Sequence, residues 1–172
     1  MAMIARPAQS EYPVYYHTYI SKAEGNDLIA LLKKGNAGLQ AFISALPAHK
    51  ADYRYQPDKW SVKEILIHLM DAERIFAYRA LRFSRGDRTG LPGFDENEYV
   101  PNCDASSRSI ENILTEYQTL RASSISFFEN LTHDMLIRSG IANGEEISVR
   151  ALAYIIAGHE VHHLSVIKER YL

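Results

Sequence analysis

Four stretches of this 172-residue chain carry apolar residues at helical spacing, and no stretch shows a convincing alternation of apolar and polar residues. The pattern predicts helices over residues 26–46, 61–85 and 108–131, and a fourth from residue 148 nearly to the end. Four amphipathic helices with little strand potential are typical of an all-α fold in which each helix buries its apolar stripe against the others. We therefore expect a four-helix bundle.

Helix-terminal signals support three of these boundaries. Ser61 and Glu64 have the spacing of a capping box, in which each side chain satisfies a free backbone N–H of the other residue. Gly86 suits the left-handed residue that commonly ends a helix, and Ser148 suits the N-cap of the fourth helix. The second and fourth helices are thus the most sharply bounded.

Three segments connect or precede the helices. An N-terminal arm, residues 1–22, contains four of the eleven tyrosines and is expected to pack on the body in an irregular conformation. A long crossover, residues 86–107, is rich in turn-forming residues, and loops of that length often cover a site. Residues 132–147 predict a short turn and a hairpin-like excursion around Asn143-Gly144. We expect one domain over residues 1–172.

Composition excludes several function classes. Nineteen Lys and Arg against 21 Asp and Glu give a net charge of −2, without the basic excess that nucleic-acid or membrane-surface binding requires. Cys103 is the single cysteine, which excludes an internal disulfide and a thiolate zinc cluster. With no signal peptide and no apolar run near the ~20 residues of a membrane span, we expect a cytoplasmic protein without membrane or nucleic-acid partners.

The chemistry is concentrated in the segment Gly158–His163 of the fourth helix. His159 and His163 are four residues apart, and therefore share a face of the helix, in the middle of its apolar stripe. Two polar imidazoles in an apolar stripe need partners, and a shared metal ion would satisfy both. The alternative is a pair of core histidines that are hydrogen-bonded to neighbouring side chains.

The same segment matches HExxH, the zinc-protease pattern in which Glu160 would be the general base. We disfavour that interpretation because only Glu169 follows as a possible downstream ligand, on the wrong face of the helix, and because no substrate-pairing strand is predicted. A third ligand must then lie upstream, where His68 is the one remaining histidine within a predicted helix. Whether His162 also takes part stays open.

Three histidine ligands would leave at least one coordination position free. An open position is typical of catalytic metal sites, whereas structural zinc usually has four protein ligands. Imidazole ligands suit Zn, Ni, Fe or Cu, and the spacing does not choose among them.

Two segments resemble the signatures of the DinB/YfiT-like superfamily. The first is Lys59–Leu69, which contains His68, and the second is Ala157–His163, with its H-x3-H pair. Phe94–Asn97 and the closing Lys168–Leu172 are also similar to this family. The resemblance implies a bundle of up-down-down-up order with a long second crossover. It also implies a divalent metal held by His68, His159 and His163, and a homodimer. Activities in this family include thiol-dependent transferases and metal-dependent hydrolases.

Our leading hypothesis is a metal-dependent enzyme that transfers a low-molecular-weight thiol to a small electrophile, with Zn or Ni as the metal. We rank hydrolysis of a small substrate second, because neither Glu160 nor Glu64 is clearly placed as a general base. A third alternative is a non-catalytic, stress-related metal-binding protein. A thiol-using reaction would need an external thiol, since Cys103 lies in a polar loop.

Several further residues have two interpretations each. Trp60 is expected to be a core anchor rather than a stacking platform, and Phe94, Asn97 and Tyr99 could line a pocket or merely fix the loop. Arg79 shares a face with His68 and could hold an anionic group of the substrate, but the helix dipole would also explain it.

Overall fold

The computed structural model describes residues 3–172, so the first two residues of the predicted arm lie outside it. Four long helices make up most of this part of the chain: α2 (Leu28–Ala45), α3 (Val62–Ser84), α5 (Ile110–Glu129) and α7 (Val149–Arg170). Three single-turn helices lie between or before them: α1 (His17–Ile20), α4 (Glu96–Tyr99) and α6 (His133–Leu136). Two short strands, β1 (Ser139–Ala142) and β2 (Glu145–Ser148), precede α7. The predicted all-α four-helix bundle is confirmed.

The two halves of the hydrophobic core fix the directions of the helices. One half contains the start of α2 and of α7 together with the ends of α3 and α5, represented by Leu28, Leu152, Phe83 and Phe128. The other half contains the opposite ends of the same four helices. Helices α2 and α7 therefore run one way and α3 and α5 the other, which is the predicted up-down-down-up order. Since α3 and α5 are parallel, the chain between them must cross the length of the bundle.

The predicted helix ends are close to the observed ones. The Ser61 hydroxyl accepts a hydrogen bond from the Glu64 backbone N–H at 3.3 Å, and the Glu64 carboxylate accepts one from Ser61 N–H at 2.6 Å. Gly86 has φ +80°, a conformation that ordinary side chains disfavour. Ser148 caps α7 by accepting a hydrogen bond from Ala151 N–H at 3.1 Å. These interactions fix where α3 and α7 begin, and therefore the positions of their histidines.

The hairpin-like excursion predicted around Asn143-Gly144 is a two-stranded antiparallel hairpin. Asn143 and Gly144 have φ of 54° and 80°, as a two-residue hairpin turn requires. Four-residue strands are too short to give a readable alternation in the sequence. Leu91 of the crossover adds to β1, donating its N–H to Ile141 O and accepting from Asn143 N–H, both at 2.9 Å. The hairpin thus holds the crossover against the end of α3.

The N-terminal arm packs against the bundle, as expected. Ile4, Tyr12 and Ile20 are buried, and the Ile4 carbonyl accepts a hydrogen bond from the Tyr154 hydroxyl of α7 at 3.0 Å. Helix α1 contacts α7 closely enough that a Cβ at position 158 would overlap the Tyr19 carbonyl. Gly158 therefore allows the arm to approach the histidine-bearing segment of α7. Within residues 3–172, no helix combines the length and apolarity needed to cross a membrane.

Candidate metal centre

The structure brings together the three histidines that the sequence singles out. His68 comes from α3, and His159 and His163 come from successive turns of α7. The Nε2 atom of His159 lies 3.1 Å from Nε2 of His68 and 3.0 Å from Nε2 of His163. One ring nitrogen from each histidine lies within 4.8 Å of those of the other two, an arrangement able to hold one metal ion. The cluster forms because α3 and α7 are antiparallel and in contact along their length.

Burial keeps these imidazoles neutral. It lowers the pKa of His68 to about 4, and burial together with the neighbouring His68 and His162 lowers that of His163 to about 3. The pKa of His159 is also lowered, by burial first and by the other histidines second. Near neutral pH, all three histidines therefore expose nitrogen lone pairs rather than positive charge, and the neutral form is the one that binds metals.

Aromatic rings surround the cluster and restrict the orientation of the imidazoles. The Trp60 ring lies 4.9 Å from that of His68, and the Tyr19 ring meets His159 edge-on at 5.0 Å. Phe76 meets His159 edge-on at 6.5 Å. The expectation for Trp60 was incomplete, since its half-buried ring both packs on the core and covers His68. The residue before the capping box thus also contributes to the site.

A cavity of about 350 Å³ opens beside the cluster, and we call it the histidine cavity. Its walls include the three histidines and six aromatic side chains, which are Tyr15, Tyr16, Tyr19, Trp60, Phe76 and Phe94. Its polar lining otherwise consists of Arg79, Glu96 and Asn143. The walls come from the arm, the crossover and the hairpin as well as from α3 and α7. A pocket of this size suits a small molecule.

Of the three crossover residues that the sequence suggested as pocket walls, one lines the histidine cavity. Phe94 and Glu96 line the cavity, but Asn97 and Tyr99 lie outside its lining and are exposed. Cys103 lies half-buried in a different surface depression, and burial raises the pKa of its thiol. Cys103 is therefore not placed to supply a thiolate to the histidine cavity.

His162 lies next to the cluster but outside it. Its ring contacts Tyr19 at 5.4 Å and His163 at 5.0 Å, yet it is not among the residues whose ring nitrogens converge. Burial and the nearby Lys22 lower its pKa. His162 therefore lies beside the three converging histidines and is not one of them.

Glu160, the glutamate of the HExxH pattern, faces the interior of the bundle. Its carboxylate lies 2.7 Å from Nη2 of Arg121 and accepts a hydrogen bond from the Tyr117 hydroxyl. Arg121 also contacts both oxygens of Glu73, at 2.8–3.1 Å. Glu160 is 2% exposed and its hydrogen-bonding capacity is taken up by these partners. It is therefore not available as a general base, which agrees with rejecting the zinc-protease interpretation.

This buried ion cluster, formed by Arg121, Glu73, Glu160 and Tyr117, was missed by the sequence analysis. Burial alone would lower the pKa of Arg121, but the two carboxylates more than offset it and hold that pKa above its ordinary value. Tyr117, Arg121 and Phe128 repeat at helical spacing on α5, so Arg121 lies within an apolar face. A charged residue within an apolar helix face was the sequence signal that could have revealed this ion cluster.

Gly35 of α2 lies against the same cluster. A Cβ at this position would overlap the Glu160 carboxylate and approach Nη1 of Arg121 at 3.2 Å. The glycine weakens α2 as an isolated helix but allows it to cover the ion cluster closely. Gly38, one turn later, has no atom within 4 Å of the corresponding position.

Arg79 is a second buried arginine, and its surroundings differ from those of Arg121. It is 3% exposed, lines the histidine cavity, and donates a hydrogen bond to the Pro92 carbonyl at 2.7 Å. Its guanidinium carbon lies 5.9 Å from the ring centres of both Phe76 and Phe94. Arg79 shares a helix face with His68, as the sequence predicts, and both residues line the histidine cavity.

Comparison with known proteins agrees with this fold. The model of the DinB superfamily matches residues 31–167. An Oceanobacillus iheyensis protein named "Putative metal-dependent hydrolase OB0413" is 25% identical over 129 residues, which are 73% of each chain. The solved structure of YfiT from Bacillus subtilis, titled a probable metal-dependent hydrolase with an unusual four-helix bundle topology, superposes with a TM-score of 0.72 at 20% identity. The superposition covers 83% of this chain and 82% of the YfiT chain. A DinB-like protein, YjoA, from the same organism gives a TM-score of 0.59 at 15% identity over 83% and 87% of the two chains.

Proposed function

The chain belongs to the DinB superfamily, and we propose that it is a metal-dependent enzyme that hydrolyses a small substrate in the histidine cavity. The observation that supports the proposal most is the convergence of three neutral imidazole nitrogens on one wall of that cavity. The name of the Oceanobacillus iheyensis relative points to the same chemistry. Hydrolysis, ranked second from the sequence, now takes first place for that reason.

The residues present fit a divalent ion such as Zn²⁺ or Ni²⁺. His68, His159 and His163 offer three nitrogen ligands, and their low pKa values mean that protons compete little for these atoms near neutral pH. A divalent ion with three protein ligands would supply Lewis acidity to a polar group of the substrate.

Aromatic residues of the cavity restrict the orientation of the histidines. Trp60 and Tyr19 pack on two of the imidazole rings, so the rings cannot turn freely. Hydrolysis also needs a group that takes a proton from water, and Glu96 is the carboxylate among the residues lining the cavity. We assign this proton-accepting role to Glu96 because Glu160 is held by Arg121 and Tyr117.

A second candidate is transfer of a low-molecular-weight thiol to a small electrophile. In that reaction the thiol sulfur forms a bond to the electrophilic carbon, and the leaving group departs with the electrons of the bond that breaks. The position of Glu160 favours this alternative, since the HExxH glutamate is unavailable as a base and thiol transfer needs none once the thiol is ionised. Cys103 lies outside the cavity, so the thiol would come from solution.

The two candidates differ in their dependence on Glu96. Metal-loaded protein should be assayed against a panel of small esters and amides, and separately against an electrophile with several thiols. If the chain is a hydrolase, turnover of one class of ester or amide should vanish with chelator, and Glu96→Gln should lower kcat by about 10²-fold or more. Thiol transfer should tolerate Glu96→Gln.

A stoichiometric metal without turnover in either panel would favour the non-catalytic metal-binding alternative. The neighbouring Glu98→Gln serves as the matched control, because Glu98 is exposed on the same short helix and lies outside the cavity lining. The homodimer implied by the resemblance stays a prediction, which light scattering of the purified protein can test.

A further inference from the structure

Arg79 is a buried cation without an anionic partner in the described part of the chain. Its side chain is almost entirely removed from solvent, yet no carboxylate oxygen of residues 3–172 lies within the ion-pair distance of 4.0 Å from its nitrogens. Its side-chain hydrogen bond within residues 3–172 is to the Pro92 carbonyl, at 2.7 Å. A guanidinium has five N–H donors, so one neutral acceptor leaves most of them unused.

Arg121, the other buried arginine of the bundle, has the anionic partners that Arg79 lacks. Arg121 is 2% exposed and lies against two carboxylates, those of Glu73 and Glu160. Burying a charge costs free energy unless an opposite charge pairs with it. Arg121 has two carboxylate partners in the core, and Arg79 has none within residues 3–172. The difference is one of location, since Arg79 lines the histidine cavity and Arg121 does not. The missing counter-ion of Arg79 can therefore be a ligand.

The helix dipole does not account for Arg79. Its favourable effect on cations is confined to the last turn of a helix, and Arg79 lies five residues before the end of α3 at Ser84. The guanidinium donates its hydrogen bond to Pro92 of the crossover rather than to a terminal carbonyl of α3. Arg82 is better placed for the dipole and already pairs with Asp87.

We infer that Arg79 is the anion-binding group of the histidine cavity and that the ligand it recognises is a small carboxylic acid. This inference rests on the proposed function only in assigning the reacting end of that acid to the three histidines. A guanidinium and a carboxylate match as a planar, bidentate pair. Arg79 is the sole Lys or Arg in the cavity lining, and Glu96 shares the lining, so the site favours a monoanion over a phosphate dianion.

The apolar wall between Arg79 and the three histidines indicates what the rest of the ligand must be. Phe76 lies between Arg79 and the histidines, with its ring centre 5.9 Å from the guanidinium carbon and 6.5 Å from the His159 ring. The Phe94 ring lies 5.9 Å from the guanidinium carbon and 6.4 Å from the Phe76 ring, so the two rings form one continuous apolar wall. A carboxylate held by Arg79 would therefore carry a short apolar spacer across Phe76 toward the histidines. The cavity volume of about 350 Å³ admits a ligand of that size.

Trp60 offers a direct measure of binding, because it is the single tryptophan of the chain and lines the same cavity. Metal-free protein near neutral pH should be titrated with hexanoate and with hexanamide, which differ in charge but barely in shape. We expect hexanoate to change the Trp60 fluorescence saturably and to bind at least about tenfold more tightly than hexanamide.

Arg79→Met should remove that preference, and Arg79→Lys should retain only part of it, since lysine keeps the charge but not the planar fork. Arg82→Met is the matched control on the same helix and should leave hexanoate binding unchanged, because Arg82 lies outside the cavity lining. Equal binding of the two ligands, the absence of a saturable hexanoate signal, or full binding by Arg79→Met would each overturn the proposal. The comparison of ligands on the unaltered protein holds even if a variant folds poorly.

The hexanoate titration and the metal assay test the role of Arg79 and the proposed function independently. If hexanoate binds through Arg79 but no metal binds to the histidines, the anion site stands and the proposed enzyme function falls. If metal and turnover are found but the substrates are uncharged and hexanoate does not bind, the proposed function stands and the role of Arg79 falls.

Discussion

The two glycines of α2 give opposite expectations for the same substitution. In an exposed helix interior, Gly→Ala is stabilising by about 1 kcal/mol, because alanine loses less conformational freedom on folding. Gly38 is exposed and a Cβ there meets no atom within 4 Å, so Gly38→Ala should have this full effect. For a chain of this length, that corresponds to a rise in Tm of about 2–4 °C.

Gly35→Ala should be destabilising despite the same gain in helix propensity. The added methyl would overlap the Glu160 carboxylate, which is buried and held by Arg121 and Tyr117. Overpacking of this kind costs about 1–3 kcal/mol, and displacing Glu160 also weakens its bond to Arg121, a charge-assisted contact of about 1.5–3 kcal/mol. We expect Gly35→Ala to be less stable than Gly38→Ala by about 2–4 kcal/mol.

Urea denaturation of the two variants beside the parent protein measures this difference. A double-mutant cycle with Glu160→Ala identifies its cause, because removing the carboxylate should remove most of the penalty of Gly35→Ala. If Gly35→Ala is as stabilising as Gly38→Ala, the close approach of α2 to the buried ion cluster is refuted. An unchanged penalty in the Glu160→Ala background would show that the methyl group clashes with something else.

Three further predictions follow from the same contacts. Glu160→Gln should lower Tm but change metal content and turnover by less than about threefold, whereas in a zinc protease of the HExxH type it would abolish turnover; steady-state kinetics and metal analysis separate these outcomes. Burial alone would raise the pKa of Glu11, but the ion pair with Arg150 holds that pKa below its ordinary value of 4.5. This contact therefore stabilises the fold above pH 4.5, and the stabilisation is lost as the pH falls through the folded-state pKa. Urea denaturation between neutral and acidic pH should therefore show a shallower loss of stability for Glu11→Gln, and identical curves would contradict it. Zinc at 100 times its Kd should stabilise the protein by about 2.7 kcal/mol, a rise in Tm of about 5–11 °C that chelator reverses and His163→Ala abolishes.

The sequence predicts the parts of this molecule that depend on local signals. The capping box at Ser61, the N-cap at Ser148 and the turn at Asn143-Gly144 all arise from residues within a few positions of one another, and the structure confirms all three. The histidine pair of α7 is equally local, since residues four apart share a helical face. His68 followed by elimination, as the one remaining histidine within a predicted helix, and the family resemblance implied the same residue.

The features that the sequence analysis missed depend on pairing across the bundle. Arg121 is acceptable in the core only because Glu73 of α3 and Glu160 of α7 both reach it, and no local pattern on α5 reveals these partners. Gly35 lowers the helix propensity of α2, and the reason for it lies across the bundle, where a Cβ would overlap the Glu160 carboxylate. For Arg79, the sequence predicted the face shared with His68, but its burial and its lack of a carboxylate partner within residues 3–172 are tertiary properties.

The most direct test of the metal centre is the metal content of tag-free protein after loading with zinc or nickel and removal of the excess. Elemental analysis should find one ion per chain in the parent protein and in His162→Ala, whose side chain lies beside the cluster but outside it. The ion should be lost from His68→Ala and from His163→Ala, with the helical circular dichroism of both variants retained. A parent protein without bound metal, or His163→Ala with a full complement, would contradict the assignment of the three histidines as its ligands.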